Sequence, residues 1–183
     1  SGALHCWKAG EEPFSRTKFQ IKLTLRMENG RARLQGCNDA AEDVVLKAKV
    51  GYVPFDGSEA RTEARAFTLR ARSRAYLEDF ELPEGDYAAG AFMVLPEGNA
   101  CAPAVLRMHD TRARRYPGAK PRVLSEEARD GGVEITLTAD GYVHGVHCKE
   151  DRALSDNYFD LVPGQIKKVF ARGAEHVEWR TVR

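Results

Sequence analysis

The chain has 183 residues, 30% of them charged, with 28 lysines and arginines against 27 aspartates and glutamates and a formal net charge of +1 at pH 7. That length suits one or two ordinary domains and excludes a (β/α)₈ barrel, which needs about 250 residues, and the even charge excludes a global attraction to polyanions. No apolar run approaches the roughly 18 residues of a membrane span, so the composition is that of a soluble globular protein. Ser1-Gly2-Ala3 has the composition of a tag remnant, and residues 1–14 read as a leader and the tail of a preceding domain, which leaves the compartment unassigned. Phe19, Ile21, Leu23, Leu25 and Met27 then alternate with Lys18, Gln20, Lys22, Thr24 and Arg26, the period of a strand with one buried and one wet face. Ala40 to Lys49 could open a short helix, but Val44-Val45 after Asn38-Asp39 suits a turn into a strand better. Phe67, Leu69 and Ala71 give another strand a core face and place Arg70, Arg72 and Arg74 in a basic stripe on its far side. Leu82-Pro83-Glu84-Gly85-Asp86-Tyr87 marks a turn, after which Tyr87 is a candidate corner tyrosine, ring inward and hydroxyl bonded to backbone a few residues upstream.

Residues 111–118 lack apolar period, carry Pro117 and Gly118, and read as a linker. Beyond it Val133-Ile135-Leu137 alternates with Glu134, Thr136 and Thr138, and Val177-Trp179-Thr181 with Glu178 and Arg180, which makes Trp179 most simply a core residue of the last strand. Asn29-Gly30, Asp56-Gly57, Gly98-Asn99, Asp130-Gly131-Gly132 and Asp140-Gly141 punctuate these runs. Many short strands at such spacing predict an all-β chain of two tandem antiparallel β-sandwiches, over 15–110 and 119–183. Leu161-Val162-Pro163-Gly164 echoes Leu82-Pro83-Glu84-Gly85 weakly, in keeping with two units. Cys6, Cys37, Cys101 and Cys148 contain no C-x-x-C, hence neither a zinc knuckle nor a redox dithiol. A Cys37–Cys101 disulfide within the first unit stays open on spacing alone.

The most specific stretch is Ser155-Asp156-Asn157-Tyr158-Phe159-Asp160-Leu161-Val162-Pro163-Gly164, a strand-like aromatic patch followed by a type II turn. Pro163 presets the first corner of that turn and Gly164 supplies the positive φ of the second. Leu154 to Gly164 resembles the SDNYFDL-x-PG segment near the C-terminus of family 2 glycoside hydrolases, in the β-mannosidase branch. Gly36-Cys37-Asn38-Asp39 is similar to the V-N-D of that family's preceding module, Phe55-Asp56-Gly57 to its D-F-D-G hairpin, and Lys120-Pro121 to its final linker. The resemblance implies that both sandwiches are immunoglobulin-like and follow a catalytic (β/α)₈ barrel in a longer parent. It implies too that the catalytic glutamates lie on that barrel, that the parent hydrolyses terminal β-mannosides or related β-glycosides with retention, and that the barrel is this fragment's partner.

Within the chain itself no catalytic residue is expected. A retaining pair of carboxyl groups stands about 5–5.5 Å apart, whereas Asp156 and Asp160 on one strand would be separated by about 13 Å. Asp156 suits bonding to local backbone amides instead. His144, His147 and Cys148 would alternate across an extended strand and so could not share a metal, and no cofactor fingerprint occurs. The arginine stripe lacks interleaved aromatics, so nucleic acid is not an expected partner. The contact candidates are Asp156, Asn157, Tyr158 and Phe159, together with Arg112, Arg114 and Arg115, whose guanidinium groups suit carboxylates of an adjoining domain. Tyr87, Pro163, Gly164 and Trp179 are the structural candidates. The alternative reading is a stand-alone carbohydrate-binding or adhesin-like tandem that uses exposed aromatics to bind oligosaccharide.

Overall fold

The computed structural model describes residues 21–110, 112–150 and 152–182. Its first seven strands are β1 (Ile21–Glu28), β2 (Arg31–Asn38), β3 (Val44–Pro54), β4 (Arg61–Leu69), β5 (Ser73–Phe80), β6 (Gly90–Pro96) and β7 (Ala104–Leu106). They form two antiparallel sheets, β1-β2-β5 and β4-β3-β6-β7. Asn29-Gly30 closes the β1–β2 hairpin in full register from Ile21↔Asn38 to Glu28↔Arg31. That register turns Leu23, Leu34 and Ala32 inward to meet Leu46, Val50, Phe67, Leu69, Phe80, Phe92 and Val94 of the other strands. The opposite positions, Lys22, Thr24, Arg26, Arg33, Gln35 and Cys37, form the outer face of the first sheet.

The remaining strands are β8 (Arg122–Arg129), β9 (Gly132–Thr138), β10 (Val143–Cys148), β11 (Phe159–Leu161), β12 (Lys167–Arg172) and β13 (Trp179–Arg180). They make two further sheets, β12-β9-β8 and β11-β10-β13, around a core of Val133, Ile135, Leu137, Val143, Val146, Leu161, Val169 and Val177. All the sheet pairings are antiparallel, which is the all-β sandwich architecture that the strand periods predict. Among the described residues no helix is long and apolar enough to cross a membrane.

A third apolar cluster lies between the two sandwiches: Val53, Phe55, Ala91 and Met93 from the first pack on Tyr142 and Val162 of the second. Backbone bonding seals it, with Tyr142 N donating to Phe55 O at 2.6 Å. Gly57, at φ +82°, brings its turn so close to the second sandwich that a Cβ there would stand 2.0 Å from the Asp140 carbonyl oxygen.

Several expectations are revised. Arg70 and Arg72 lie in the turn between β4 and β5, with Arg72 at φ 49°, so Arg70, Arg72 and Arg74 form no stripe along one strand. Cys37 and Cys101 are both free thiols. The last strand holds only Trp179 and Arg180, and Trp179 is half-buried at the edge of the second core, its ring 5.8 Å from Phe159 and its indole N–H buried without an acceptor. Phe19, Trp7 and Cys6 fall outside the described residues.

Candidate functional site

Simple alternation places His144 and His147 on opposite sides of β10, but the chain departs from it at Gly145. Gly145 adopts φ +59°, and the β10–β11 register jumps between Val143↔Leu161 and Val146↔Phe159. The bulge keeps Val143, Val146 and Cys148 all in the core and leaves both histidines partly exposed. It also presents the Gly145 amide to Asp160, the middle residue of β11.

Asp160 is the hub of a polar cluster at the junction of the sandwiches. Its Oδ1 accepts from Gly145 N at 2.9 Å and from His144 Nδ1 at 2.8 Å. Its Oδ2 accepts from the Tyr142 hydroxyl at 2.7 Å and from the Arg107 guanidinium, which reaches over from the segment after β7. Burial works to raise the Asp160 pKa, but the Tyr142 hydroxyl, Arg107, the Gly145 amide and His144 outweigh it and hold the carboxyl below its usual range. Burial pushes the Tyr142 phenol well up, and the Asp160 carboxylate pushes in the same direction. Beside this cluster Tyr116 stacks on both Tyr142 and His144 with ring centroids 5.7 Å apart, and Phe55 packs at a tilt against Tyr142 at 4.7 Å and Tyr116 at 5.2 Å. A carboxylate so fully engaged by donors is no proton shuttle. Through Arg107 it fastens the first sandwich to the second.

Two residues upstream the chain turns outward. Tyr158 takes φ +59°, a conformation a bulky residue adopts only when its surroundings enforce it, and its ring is 67% exposed. Asn157 enforces it: its Oδ1 accepts from both Tyr158 N at 3.1 Å and Cys148 N at 3.2 Å. The His147 ring lies flat against Tyr158, centroids 4.8 Å apart and planes 10° from parallel. His147 is itself fixed, its Nδ1 donating to Gly145 O at 3.0 Å. Phe159 points the other way into the core. Asp156 is paired with the Lys167 ammonium, not with the local amides expected of it, and Asn157 takes that part.

The linker arginines divide. The Arg115 guanidinium pairs with Asp86, and Arg114 donates to His109 O at 2.8 Å and to the Tyr116 hydroxyl at 3.3 Å, so both are engaged within the chain. Arg112 is exposed beside them. Of the structural candidates, Tyr87 donates its hydroxyl to Pro83 O at 2.9 Å, and Pro163-Gly164 forms a turn in which Gln165 N donates to Val162 O at 3.1 Å with Gly164 at φ +72°. Arg107 escaped the sequence reading, and His144, Tyr116 and Tyr142 entered it only as a rejected metal ligand and as exposed aromatics for a sugar, not as partners around Asp160. Asp160 lies 53 positions from Arg107, and nothing local to either announces the pairing.

Residues 119–180 match the Ig_mannosidase family model, an Ig-fold domain. A solved structure of a β-D-mannosidase from Dictyoglomus thermophilum superimposes on 88% of this chain with a TM-score of 0.76 and 18% sequence identity, a likeness of fold. This chain covers 21% of that protein. No curated protein matches the sequence. The family match falls on the domain that carries the Leu154–Gly164 segment, and the likeness of fold takes in most of the chain beyond it.

Proposed function

We propose that this chain is a non-catalytic accessory region of a β-mannosidase-like glycoside hydrolase, bracing a catalytic (β/α)₈ barrel of the same parent. The parent on this reading releases terminal β-mannose or a related β-linked sugar with retention. The observation that carries the proposal is Tyr158, a large ring held outward in a strained conformation on a rigid Asn157 and His147 base. Exposed aromatics on preorganised supports are the anchors that protein interfaces use, each worth about 2 kcal/mol or more when truncated. Arg112 in the linker supplies a guanidinium for a carboxylate on the neighbouring domain.

In the full-length parent, Tyr158→Ala should lower the half-inactivation temperature of β-mannosidase activity by a few degrees while KM is unchanged. An unaltered inactivation temperature overturns the bracing role of this edge. The purified chain alone should not hydrolyse 4-nitrophenyl β-mannoside. It should also give no saturable heat with millimolar β-1,4-mannotriose. The same exposed ring could instead stack on a sugar, and saturable mannotriose binding that vanishes in Tyr158→Ala would replace the brace with a carbohydrate-binding module.

A further inference from the structure

The outer face of β1-β2-β5 is divided in two by its charges. In the half nearer the β1–β2 hairpin, cations meet carboxylates: Arg31 bonds Glu81 at 3.2 Å, while Arg33 takes Asp79 through Nε at 3.1 Å and Glu28 at 2.8 Å. In the other half the register aligns Lys22 with Cys37 and Cys37 with Arg74, so that an ammonium and a guanidinium flank one small side chain. The next row is Thr24, Gln35 and Tyr76. Lys22, Thr24, Gln35, Gly36, Cys37 and Arg74 line a depression of about 150 Å³, and none of its walls is a carboxylate. The nearest acid is Asp39, whose Oδ1 accepts from the Cys37 thiol at 3.4 Å. Tyr76 continues the surface, 53% exposed with the Arg33 guanidinium 5.0 Å from its ring centre.

From this arrangement we infer that the face binds an anionic oligosaccharide, its sulfate or carboxylate substituent held between Lys22 and Arg74. The two cations stand on strands either side of β2, a separation of roughly 10 Å at the usual strand spacing. Two long side chains can close that gap on one tetrahedral or planar anion about 5 Å across, with charge-assisted hydrogen bonds from each. Thr24 and Gln35 offer donors and acceptors suited to sugar hydroxyls, and Tyr76 offers an aromatic surface for a neighbouring ring. Beyond the socket Arg26 is the one further cation without a carboxylate partner among the described residues of this face, because Arg33 beside it is held by Asp79 and Glu28; two separated cationic points are not the continuous track that a polyphosphate backbone needs. The inference is independent of the bracing reading, which uses the opposite sandwich.

The test is calorimetric titration of the purified chain with a sulfated mannotriose, a tri-uronate, neutral mannotriose, inorganic sulfate and an oligoglutamate peptide. Either or both anionic trisaccharides should bind saturably, more weakly as salt rises, and binding to the joint variant Lys22→Ser, Arg74→Ser should be at least about tenfold weaker. Arg26→Ser and Tyr158→Ala should bind as the unsubstituted chain does, and circular dichroism should show every variant folded. The bound ligand should also slow alkylation of Cys37 by N-ethylmaleimide, which reports on this socket alone. Absence of saturable binding, equal binding of neutral mannotriose or of the peptide, indifference to the double substitution, or Cys37 protection by inorganic sulfate at the same concentration (an adventitious ion only) each overturns the assignment.

Discussion

Asp160 lies in a segment whose resemblance suggested a role outside this chain, yet its partners are internal. The carboxylate is 21% exposed and Arg107 24%, so the pair is partly shielded from solvent, and its contribution lies between a surface pair and a buried one. Asp160→Asn should destabilise the chain by about 2 kcal/mol at pH 7, read from the urea midpoint, because Arg107 keeps its charge and loses its counter-ion. The pH dependence has a definite sign. The folded-state pKa is depressed, so the stabilisation is complete above the unfolded value of about 3.9 and is lost as pH falls through the folded value. Stabilities of the unsubstituted chain and Asp160→Asn should therefore differ at pH 6–7, with the gap narrowing as pH falls below about 3.9, and a gap that stays constant as the pH falls would remove the ion pair as the cause. The sequence displayed Asp160 but not this chemistry. Arg107 stands 53 positions away, and the Gly145 amide reaches the carboxylate only because β10 bulges.

Strands were legible where one face is buried, and less so at bends and edges. Val133, Ile135 and Leu137 all face the second core, as their period reads, whereas in β1 only Leu23 is buried, Ile21 and Leu25 are half-buried and Met27 beside the hairpin is exposed. Period alone cannot see a chain reversal between Leu69 and Ser73, which is why the arginines at 70, 72 and 74 read as one stripe, nor a bulge that puts Val143 and Val146 on the same side. Asn38 shows how such irregular joins are held. Fully buried at the end of β2, it donates through Nδ2 to Glu42 O at 2.9 Å and Leu69 O at 3.1 Å, and its Oδ1 accepts from Ala40 N at 2.9 Å. One side chain thus ties the end of β2 to the approach of β3 and the end of β4. Asn38→Ala orphans three backbone groups at about 1 kcal/mol or more each, so a loss of about 2–4 kcal/mol in urea unfolding is expected. Asn38→Asp should be no better, since it sets a carboxylate against two carbonyl oxygens. A loss under about 1 kcal/mol for the alanine variant would mean that water replaces the amide.

How the two sandwiches are joined decides whether an anchor on one can position the other. Phe55 is 1% exposed and Tyr142 1%, their rings are 4.7 Å apart, and Met93, Ala91 and Val162 close around them. Gly57 leaves no room for a side chain against Asp140, and the Arg107–Asp160 pair lies at the same junction. Apolar packing, backbone bonding and an ion pair at one seam give little freedom for hinge motion, in contrast to the small polar contacts of mobile domain pairs. The unsubstituted 183-residue chain should therefore melt in one calorimetric transition. Phe55→Ala removes the central ring, at about 3–5 kcal/mol for a buried phenylalanine, and nearly all of that loss falls on the seam because Phe55 belongs to neither sandwich core. The expected result is a split into two transitions, with scattering showing a broader range of shapes in solution. A single transition shifted downward would mean that the sandwiches share stability by another route. A split would show that the Phe55 seam holds Tyr158 in a fixed orientation relative to the first sandwich, as a brace spanning both requires.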